Sequence, residues 1–508
     1  MEMAGTFWAL VPAIAAIVLA LITKEVYFSL FIGILAGALF FTGFQLMPAL
    51  ETITHIISDK VGGNINIVIF LIVLGMIVAL LQKSGAARSY GEWASKRIHS
   101  KKSALGLSGI LGVVIFVDDY FNCLTVGTVM KPITDKFKIS RAQLAYIIDA
   151  TAAPVCILAP ISSWAAAVSS SLPSGSQIDG FSLFLKTIPF NYYAILTLIM
   201  VFVLIAFNIS FSKMKALESK NPDPSKLDDA PEENYARVNK GKVIDLIAPV
   251  IMLIAFCVWF MLYTGGILEG ESISSAFANC NSSLSLVYGS LFTLLFTALF
   301  YLPRKVINFQ EFNQCLAEGF KAMVPALLIL TFAWTLSGVS GEGYLEVGSF
   351  VSSVLESNNI SLALVPVVFF LVALLLSFAT GTSWGTFAIL IPIIVTVFGD
   401  QLSDLMVLSV AACLAGAING DHISPISDTT ILSSAGAGCR HLDHVSTQIP
   451  YAAVVTIPSI IAYITGGLSG QPWLGLAVAL VLLLVTLTVI KLKTSKKEDA
   501  QDLHKTAA

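Results

Sequence analysis

Charged residues are scarce in this sequence. Asp, Glu, Lys and Arg make up 12% of its 508 residues, whereas 56% are hydrophobic. Soluble domains carry roughly 25% charged residues, so the scarcity excludes an ordinary soluble domain. The net charge of −3 is too small to indicate nucleic acid as a partner. We therefore predict an all-α polytopic membrane protein surrounded by the lipid bilayer.

Paired cysteines are also missing. The seven cysteines are scattered without a Cys-x-x-Cys pair, so neither a disulfide framework nor a zinc site is indicated. The N-terminus lacks a basic segment followed by a small-residue cleavage site. We therefore interpret the first apolar run as a retained span and not as a cleaved signal peptide.

The apolar runs predict about 11 transmembrane helices. Lys and Arg cluster at residues 83–102, 131–141, 213–242, 304–305 and 491–497. These clusters mark the cytoplasmic side, because short cytoplasmic loops are enriched in both residues. Loops 265–283 and 339–360 carry Glu but neither Lys nor Arg, and they are predicted to be external. The N-terminus is then outside and the C-terminus cytoplasmic.

Two apolar segments are predicted to enter the membrane and return on the same side. Lys102 and Lys131 both belong to cytoplasmic clusters, and the roughly 28 residues between them are too few for two spans. Residues 103–133 should therefore form a re-entrant hairpin that enters from the cytoplasm and turns near Asp118 and Asp119. The same argument makes residues 361–398 a hairpin that enters from outside and turns at residues 380–383.

The two halves of the chain resemble each other. Residues 159–162 (Ala-Pro-Ile-Ser) match residues 424–427 (Ser-Pro-Ile-Ser), and the hairpins have opposite sidedness. Together these features predict two inverted repeats. The predicted organisation is a first repeat at 1–210, a cytoplasmic linker at 211–242, a second repeat at 243–470, an extra helix at 471–492 and a disordered cytoplasmic tail at 493–508. Amphipathic segments 45–60, 84–99 and 305–322 are expected along the membrane interface.

Polar residues interrupt the apolar pattern at residues 414–438. They include Asn419, Asp421, His422, Ser424, Ser427 and Asp428. Gly420 and Pro425 are predicted to break the helix there. A charged side chain at bilayer depth costs about 2.5–3.5 kcal/mol, and a broken helix frees backbone groups that lipid cannot satisfy. Both features together indicate a protein- or water-lined path for ions or solutes.

Five aspartates are predicted at membrane depth without a Lys or Arg to neutralise them. They are Asp118, Asp119, Asp149, Asp421 and Asp428. A buried carboxylate without a basic partner binds a cation or takes up a proton. Alternation between the two is the minimal requirement for cation/proton antiport. Oxygen ligands suit Na⁺, which we predict at Asp149, Asp421 and Asp428. Further oxygens are available from Asn122, Thr125, Thr151, Ser162, Ser163, Thr380, Thr382, Ser383, Asn419, Ser427 and Thr429.

These residues also have structural interpretations. The aspartates could cap helix ends or satisfy backbone groups at breaks, and the hydroxyls could replace lost backbone hydrogen bonds. His422 fits a structural hydrogen bond as well as a proton carrier. We interpret His441 and His444 as a solvated cytoplasmic face, and Trp164 and Trp384 as packing residues.

Two other functions fit the sequence less well. An intramembrane aspartyl protease is disfavoured because Ile418 stands where its Gly-x-Gly-Asp pattern needs glycine. A passive channel is disfavoured because inverted repeats with broken helices favour alternating access.

Three segments resemble the NhaC-type Na⁺/H⁺ antiporter family: residues 116–122, 381–386 and 420–430. The resemblance implies a secondary active transporter of the bacterial inner membrane that is not an enzyme and has no cofactor, with Na⁺ and H⁺ as transported ions. Many relatives are dimers, which makes a homodimer compatible with the family. In the wider superfamily, hairpin tips and adjacent helix breaks form the substrate site. Carried onto this sequence, those positions are Asp118, Asp119, Asn122, Asp149, Thr382, Ser383, Asn419, Asp421, Ser427 and Asp428.

The family also includes members similar to malate/lactate antiporters, and other relatives similar to amino acid carriers. Exchange of an organic acid or amino acid coupled to Na⁺ or H⁺ therefore stays open as an alternative. The absence of Arg from the predicted core favours a cation over an organic anion, although Asp could hold an amino acid through its ammonium group.

Overall fold

The computed structural model describes residues 3–23, 25–86, 89, 98–173, 176–220, 241–341, 343–347, 350, 361–399, 402–425 and 427–506. All regular elements within these ranges are helices. The all-α prediction is therefore confirmed.

The helices of the first half are α1 (Val11–Thr23), α2 (Val26–Phe41), α3 (Leu46–Gly63), α4 (Ile65–Ser84), α5 (Lys101–Val114), α6 (Asp119–Lys136), α7 (Arg141–Thr151), α8 (Ala153–Cys156), α9 (Ser163–Ser169), α10 (Gly180–Thr187), α11 (Tyr192–Phe207) and α12 (Ser212–Lys220). Those of the second half are α13 (Val243–Thr264), α14 (Ile273–Asn279), α15 (Ser282–Tyr301), α16 (Phe309–Ser340), α17 (Val365–Thr380), α18 (Ser383–Phe398), α19 (Asp404–Ile423), α20 (Asp428–Ala437), α21 (His441–Ser469) and α22 (Pro472–Thr506).

The described helices support a multi-pass membrane protein. Nine of them are long and apolar enough to cross a membrane, and the number rises to ten if α2 and α3, bent by 118°, form one span. Two shorter apolar helices, Phe7–Ala16 and Ser383–Phe398, fall below that length. The count is thus slightly lower than the 11 spans predicted from the sequence.

Helix breaks occur at both predicted hairpin turns. α5 ends at Val114 and α6 begins at Asp119. α17 ends at Thr380, Gly381 adopts φ +70°, and α18 begins at Ser383. The sides from which these segments enter the membrane, and the inverted repeat itself, stay predictions.

Two further breaks divide the polar-studded spans. The first separates α8 from α9 at residues 157–162, and the second separates α19 from α20 at residues 424–427. Pro425 lies in the second break, as predicted, but Gly420 lies inside α19. A Cβ added at Gly420 would stand 2.2 Å from the carbonyl oxygen of Leu374 on α17. Gly420 therefore lets two helices approach closely, and its assignment as a helix breaker is wrong.

Other predicted boundaries also change. The predicted interfacial segment 305–322 and the span after it form one continuous helix, α16. α22 continues to Thr506, so the prediction of a disordered tail is wrong for those residues. Within the predicted linker, α12 occupies Ser212–Lys220, while residues 221–240 lie outside the described part. Most of the predicted interfacial segment 84–99 lies outside it as well.

The most polar candidate span is also the most enclosed by protein. In α19, 94% of the most apolar 18-residue stretch is buried, compared with 22% of the corresponding stretch in α22. Its neighbours are α17, α18, α21, α11 and α10. The polar side chains of α19 thus face other helices and not lipid, which is how membrane proteins accommodate such residues.

Candidate functional site

The four helix breaks meet in the interior. The Ser163 N–H donates to the Val117 carbonyl (2.9 Å), which joins the α5–α6 break to the start of α9. The Asp428 N–H donates to the Gly381 carbonyl (3.3 Å), which joins the α19–α20 break to the α17–α18 break. The Tyr120 hydroxyl donates to the Asp428 carboxylate (2.5 Å) and links the two pairs. The predicted site segments from both halves therefore form one region.

Asp149 on α7 contacts the first turn of α20 through Thr430 and is fully buried. Its carboxylate accepts from Gln448 Nε2 at 2.5 Å, Thr430 Oγ1 at 3.1 Å and Ser433 Oγ at 3.2 Å. His444 Nε2 lies 3.3 Å from the same carboxylate. His444 is the only member of this set that can carry a positive charge. Asp149 is thus held by neutral donors and one titratable partner.

The histidines of α21 correct the sequence interpretation. His444 is 0% exposed and contacts Asp149, so its assignment to a solvated face is wrong. His441 is half-buried, with Nε2 2.7 Å from the Pro425 carbonyl and Nδ1 3.2 Å from Ser434 Oγ. Sequence reasoning also missed Gln448. Its position four residues after His444 puts both on one helix face, and that spacing was the available signal.

Asp421 carries an unsatisfied oxygen. Its Oδ2 accepts from Thr429 Oγ1 at 2.6 Å, whereas its buried Oδ1 has no hydrogen-bond partner. Thr429 Oγ1 also lies 3.2 Å from Ser427 Oγ, and Ser427 caps the start of α20 by accepting from Thr430 N–H. A cation or proton placed on this oxygen would remove the cost of leaving it unpaired.

Asp428 is half-buried, whereas Asp421 and Asp149 are fully buried. Besides the Tyr120 hydroxyl, its carboxylate accepts from the backbone N–H of Thr429 at 2.8 Å. Asp428 is therefore the most accessible of the three aspartates on which Na⁺ was predicted.

The first hairpin places two more predicted residues here. Asp119 is fully buried and accepts from Trp164 Nε1 at 3.0 Å. The indole of Trp164 is therefore a hydrogen-bond donor as well as a packing group. Asp118 is also buried, and its carbonyl accepts from the Asn122 N–H at 3.0 Å.

Asn122 has a structural role in the same hairpin. Its Nδ2 lies 2.7 Å from the Gly112 carbonyl, 2.8 Å from that of Ile115 and 3.1 Å from that of Thr151. These contacts satisfy carbonyls near the ends of α5 and α7 that would otherwise be unpaired. Its Oδ1 is buried without a partner, so only this atom is available for a ligand.

The remaining predicted residues divide into two groups. Thr382 caps α18 by accepting from Gly385 N–H at 3.4 Å, and Ser383 follows with a buried hydroxyl that has no partner. Asn419 instead faces α21, where its amide group exchanges hydrogen bonds with Thr456 at 2.8 and 3.1 Å. The structure therefore brings Thr382 and Ser383 to the breaks but engages Asn419 elsewhere.

His422 is also held in place by neighbouring helices. Its Nδ1 lies 3.1 Å from the Tyr193 hydroxyl, and its carbonyl accepts from Gln448 Nε2 at 2.8 Å. Its Nε2 is buried and has no partner. The hydrogen bonds fit a structural role for His422. The unpaired Nε2 is also compatible with a role as a proton carrier.

The three aspartates predicted to hold Na⁺ all meet the first turn of α20. Asp428 begins that helix, Thr429 contacts Asp421, and Thr430 contacts Asp149. Within the described residues, however, no group of three or more His, Cys, Asp or Glu side chains could hold a metal ion. The three-aspartate Na⁺ site stays a prediction.

No Lys or Arg side chain pairs with Asp119, Asp149, Asp421 or Asp428 in the part of the chain that the structure describes. A helical membrane protein with discontinuous helices and uncompensated acidic groups in its interior has the features of a secondary transporter.

Comparison of the sequence with known families agrees with this class. A model of the Na⁺/H⁺ antiporter family matches residues 166–468. A Haemophilus influenzae protein described as uncharacterized is 37% identical over 96% of both chains. The malate-2H⁺/Na⁺-lactate antiporter of Bacillus subtilis is 27% identical over 35% of this chain and 38% of its own. The solved YdaH transporter of Alcanivorax borkumensis shares 13% identity, with a TM-score of 0.48 over 84% of this chain and 90% of that one.

The chain belongs to the Na⁺/H⁺ antiporter family. This confirms the family resemblance, the antiport class and the prediction that the protein is not an enzyme. The aspartyl protease alternative is thereby set aside.

Proposed function

We propose that this antiporter exchanges Na⁺ for protons at the aspartates of the four helix breaks. The observation that carries the proposal is the unpartnered, fully buried Oδ1 of Asp421. A buried polar atom without a partner costs about 1–3 kcal/mol. Either a proton or a Na⁺ ion on Asp421 would relieve that cost, and the two would compete for the same oxygen.

The surroundings of Asp421 supply the ligands that Na⁺ needs. Thr429 and Ser427 place hydroxyl oxygens beside it, and Asp428 begins the next helix. Hard cations prefer such oxygen ligands. Because Asp428 is half-buried, it would receive the ion first, and Asp421 would hold it further inside.

Exchange would follow from movement of the hairpin-bearing segments against the remaining helices, because the binding residues lie on broken helices of both halves. Na⁺ and H⁺ are the transported ions, and no cofactor is part of the proposal. The family resemblance implies a bacterial inner-membrane location, and the Lys and Arg distribution supports a cytoplasmic C-terminus. A homodimer stays a prediction from family resemblance.

The test is proton movement in proteoliposomes that contain the purified full-length chain and a pH dye. We expect added NaCl to drive protons out of proteoliposomes whose interior is acidic. LiCl is tested as an analogue of NaCl, and KCl is the control salt. Protein-free liposomes are the control for proton leakage. A Na⁺ response equal to that of protein-free liposomes would contradict Na⁺/H⁺ antiport.

The sidedness of the first hairpin is tested by cysteine labelling. With membrane-impermeant thiol reagents, Lys102→Cys and Lys131→Cys are both expected to react from the cytoplasmic side, since a re-entrant segment returns to the side it left. Ser272→Cys in the predicted external loop is the control for the opposite side. Labelling of either position from outside would contradict the predicted re-entrant hairpin.

A second candidate is exchange of an organic solute coupled to the same ions. The partial match to the malate-2H⁺/Na⁺-lactate antiporter favours it. The transport assay separates the two, because a coupled exchanger would respond to Na⁺ only when malate, lactate or an amino acid is also present.

A further inference from the structure

A polar cavity lies apart from the helix breaks, at the other end of α9. Its volume is about 450 Å³. The start of α4, the end of α9, the start of α10, the connection between α14 and α15 and the first turns of α15 enclose it. Its polar lining includes Asn64, Ser169, Ser170, Asp179, Asn279 and Asn281. None of these residues belongs to the site at the breaks.

The cavity runs from the protein surface into the interior. Asp179, Asn279 and Asn281 are exposed, whereas Ser170 is buried at the inner end. A water molecule takes about 30 Å³ in the liquid, so a polar cavity of this size has room for a hydrated ion. The connection between α14 and α15 belongs to loop 265–283, which is predicted to be external. We therefore expect the cavity to open to the outer side of the membrane.

α9 connects this cavity to the helix breaks. Its last residue, Ser169, lines the cavity. Its first residue, Ser163, donates its N–H to the Val117 carbonyl at the α5–α6 break. α9 has seven residues, which corresponds to a length of about 10 Å. An ion in the cavity is thus separated from the breaks by the length of one short helix.

Close contacts at the end of α9 limit the cavity on its inner side. The Ser170 carbonyl accepts from Trp334 Nε1 of α16 at 2.8 Å. A Cβ added at Gly180 would stand 2.1 Å from the Ser169 carbonyl oxygen, so α10 lies directly against the end of α9. Passage of an ion further inward requires α9 to move relative to α10 and α16. A cavity that ends at a broken helix in this way fits an alternating-access transporter.

The charge of the lining favours cations. Among the lining residues that the structure describes, Asp179 is the only charged one, and none is Lys or Arg. Its carboxylate accepts from the Ser182 N–H at 2.7 Å and caps α10. Loop 265–283 adds Glu269 and Glu271 without any Lys or Arg. A cleft lined by charge of one sign raises the local concentration of ions of the opposite sign.

We propose that this cavity is an outer vestibule that concentrates hydrated monovalent cations for the helix breaks, with Asp179 as the attracting charge. The amide and hydroxyl groups of residues such as Asn64 and Ser169 would contact the water shell of the ion. The inference rests on the antiport function proposed above. It adds a weak cation site outside the membrane interior, distinct from Asp421 and Asp428.

Asp179→Asn tests the role of the charge. Asparagine caps helices about as well as aspartate, so α10 should keep its start while the cavity loses its charge. The assay uses right-side-out membrane vesicles from cells that lack other Na⁺/H⁺ antiporters. We expect the apparent KM for external Na⁺ to rise about two- to fivefold at low ionic strength, with an unchanged maximal rate. Choline chloride at about 0.5 M should remove the difference by screening.

Glu51→Gln is the matched control for charge at the same predicted surface. Glu51 is exposed on α3 and does not line the cavity. It precedes Asn64 by 13 residues, which places it about 20 Å away along that helix. The apparent KM of this variant should equal that of the wild type.

Thiol labelling tests the cavity without relying on transport. Cys280 lines the cavity and is half-buried. Its labelling rate in right-side-out vesicles is measured with two membrane-impermeant methanethiosulfonate reagents, one with a trimethylammonium group and one with a sulfonate group. We expect the ratio of the cationic to the anionic rate to fall about two- to fivefold in Asp179→Asn. Cys280→Ser identifies labelling at other cysteines.

Three outcomes would overturn the proposal. An unchanged apparent KM or an unchanged rate ratio in Asp179→Asn would show that the cavity does not concentrate cations. Labelling of Cys280 from the cytoplasmic side alone would show that the cavity does not open outward. An equal rise of the apparent KM in Glu51→Gln would assign the effect to general surface charge. A wild-type chain without any Na⁺ response would instead contradict the antiport proposal, and the labelling ratio would still decide whether the cavity attracts cations.

Discussion

Asp149→Asn is expected to reduce Na⁺-dependent proton movement in proteoliposomes to the level of protein-free liposomes. The substitution preserves the shape of the side chain but removes its charge and its ability to bind a proton or a cation. Because Asp149 contacts Thr430, Ser433, His444 and Gln448, the neutral amide keeps much of the packing. The variant should therefore still insert and purify. Asp421→Asn is expected to have the same effect.

The matched control is Asp443→Asn in the first turn of α21. Asp443 pairs with Arg440 at 3.4 Å, and the two side chains are 32% and 63% exposed. Exposed ion pairs of this kind contribute about 0–1 kcal/mol, so exchange should be unchanged. If Asp149→Asn and Asp421→Asn both show wild-type exchange, neither residue belongs to the proposed site.

Gly420→Ala is expected to lower the thermal unfolding midpoint and the yield of monodisperse protein. The added Cβ would lie 2.2 Å from the Leu374 carbonyl oxygen and 2.8 Å from the Phe378 backbone nitrogen. Both are backbone atoms of α17, which cannot turn aside as a side chain can. Overpacking of a buried contact costs about 1–3 kcal/mol. Fluorescence-detected size-exclusion chromatography and a melting curve measure the effect.

Gly106→Ala provides the opposite control. It lies within α5, and a Cβ added there would meet no atom within 4 Å. Alanine in a helix interior is favoured over glycine by about 0.5–1 kcal/mol, so this variant should be as stable as the wild type or more so. Equal midpoints for the two variants would show that α17 and α19 are not in close contact at Gly420.

The sequence was sufficient to locate three of the four helix breaks because their signals are local. Pro425 cannot continue a helix without losing a hydrogen bond, and residues such as Ser427 and Thr382 favour the cap position. The scarcity of charged residues predicted a membrane protein for a similarly direct reason. Gly420 misled the same reasoning, since a glycine that ends a helix and one that allows a close contact look alike in sequence.

The partners across the site could not be predicted in the same way. Asp149 and Thr430 are 281 residues apart, and no local pattern specifies which distant side chains meet. His444 follows Arg440 and Asp443, so its surroundings in sequence indicated solvent although its own helix face is buried. Asn419 seemed well placed beside Asp421, but neighbouring positions on a helix point in different directions.

The glycine contacts have a consequence for how this chain could acquire a different cargo. α19 rests on α17 through Gly416 and Gly420, and α6 approaches α20 where Gly127 meets Gly436. These contacts are made by backbone or alanine-sized groups and do not depend on the side chains at the helix starts. A substitution at Ser383 or Thr382 would change the hydroxyl groups at the α17–α18 break, whereas the close contacts between the helices are made elsewhere. If the proposed site lies at these breaks, very few substitutions would suffice to change what this chain transports.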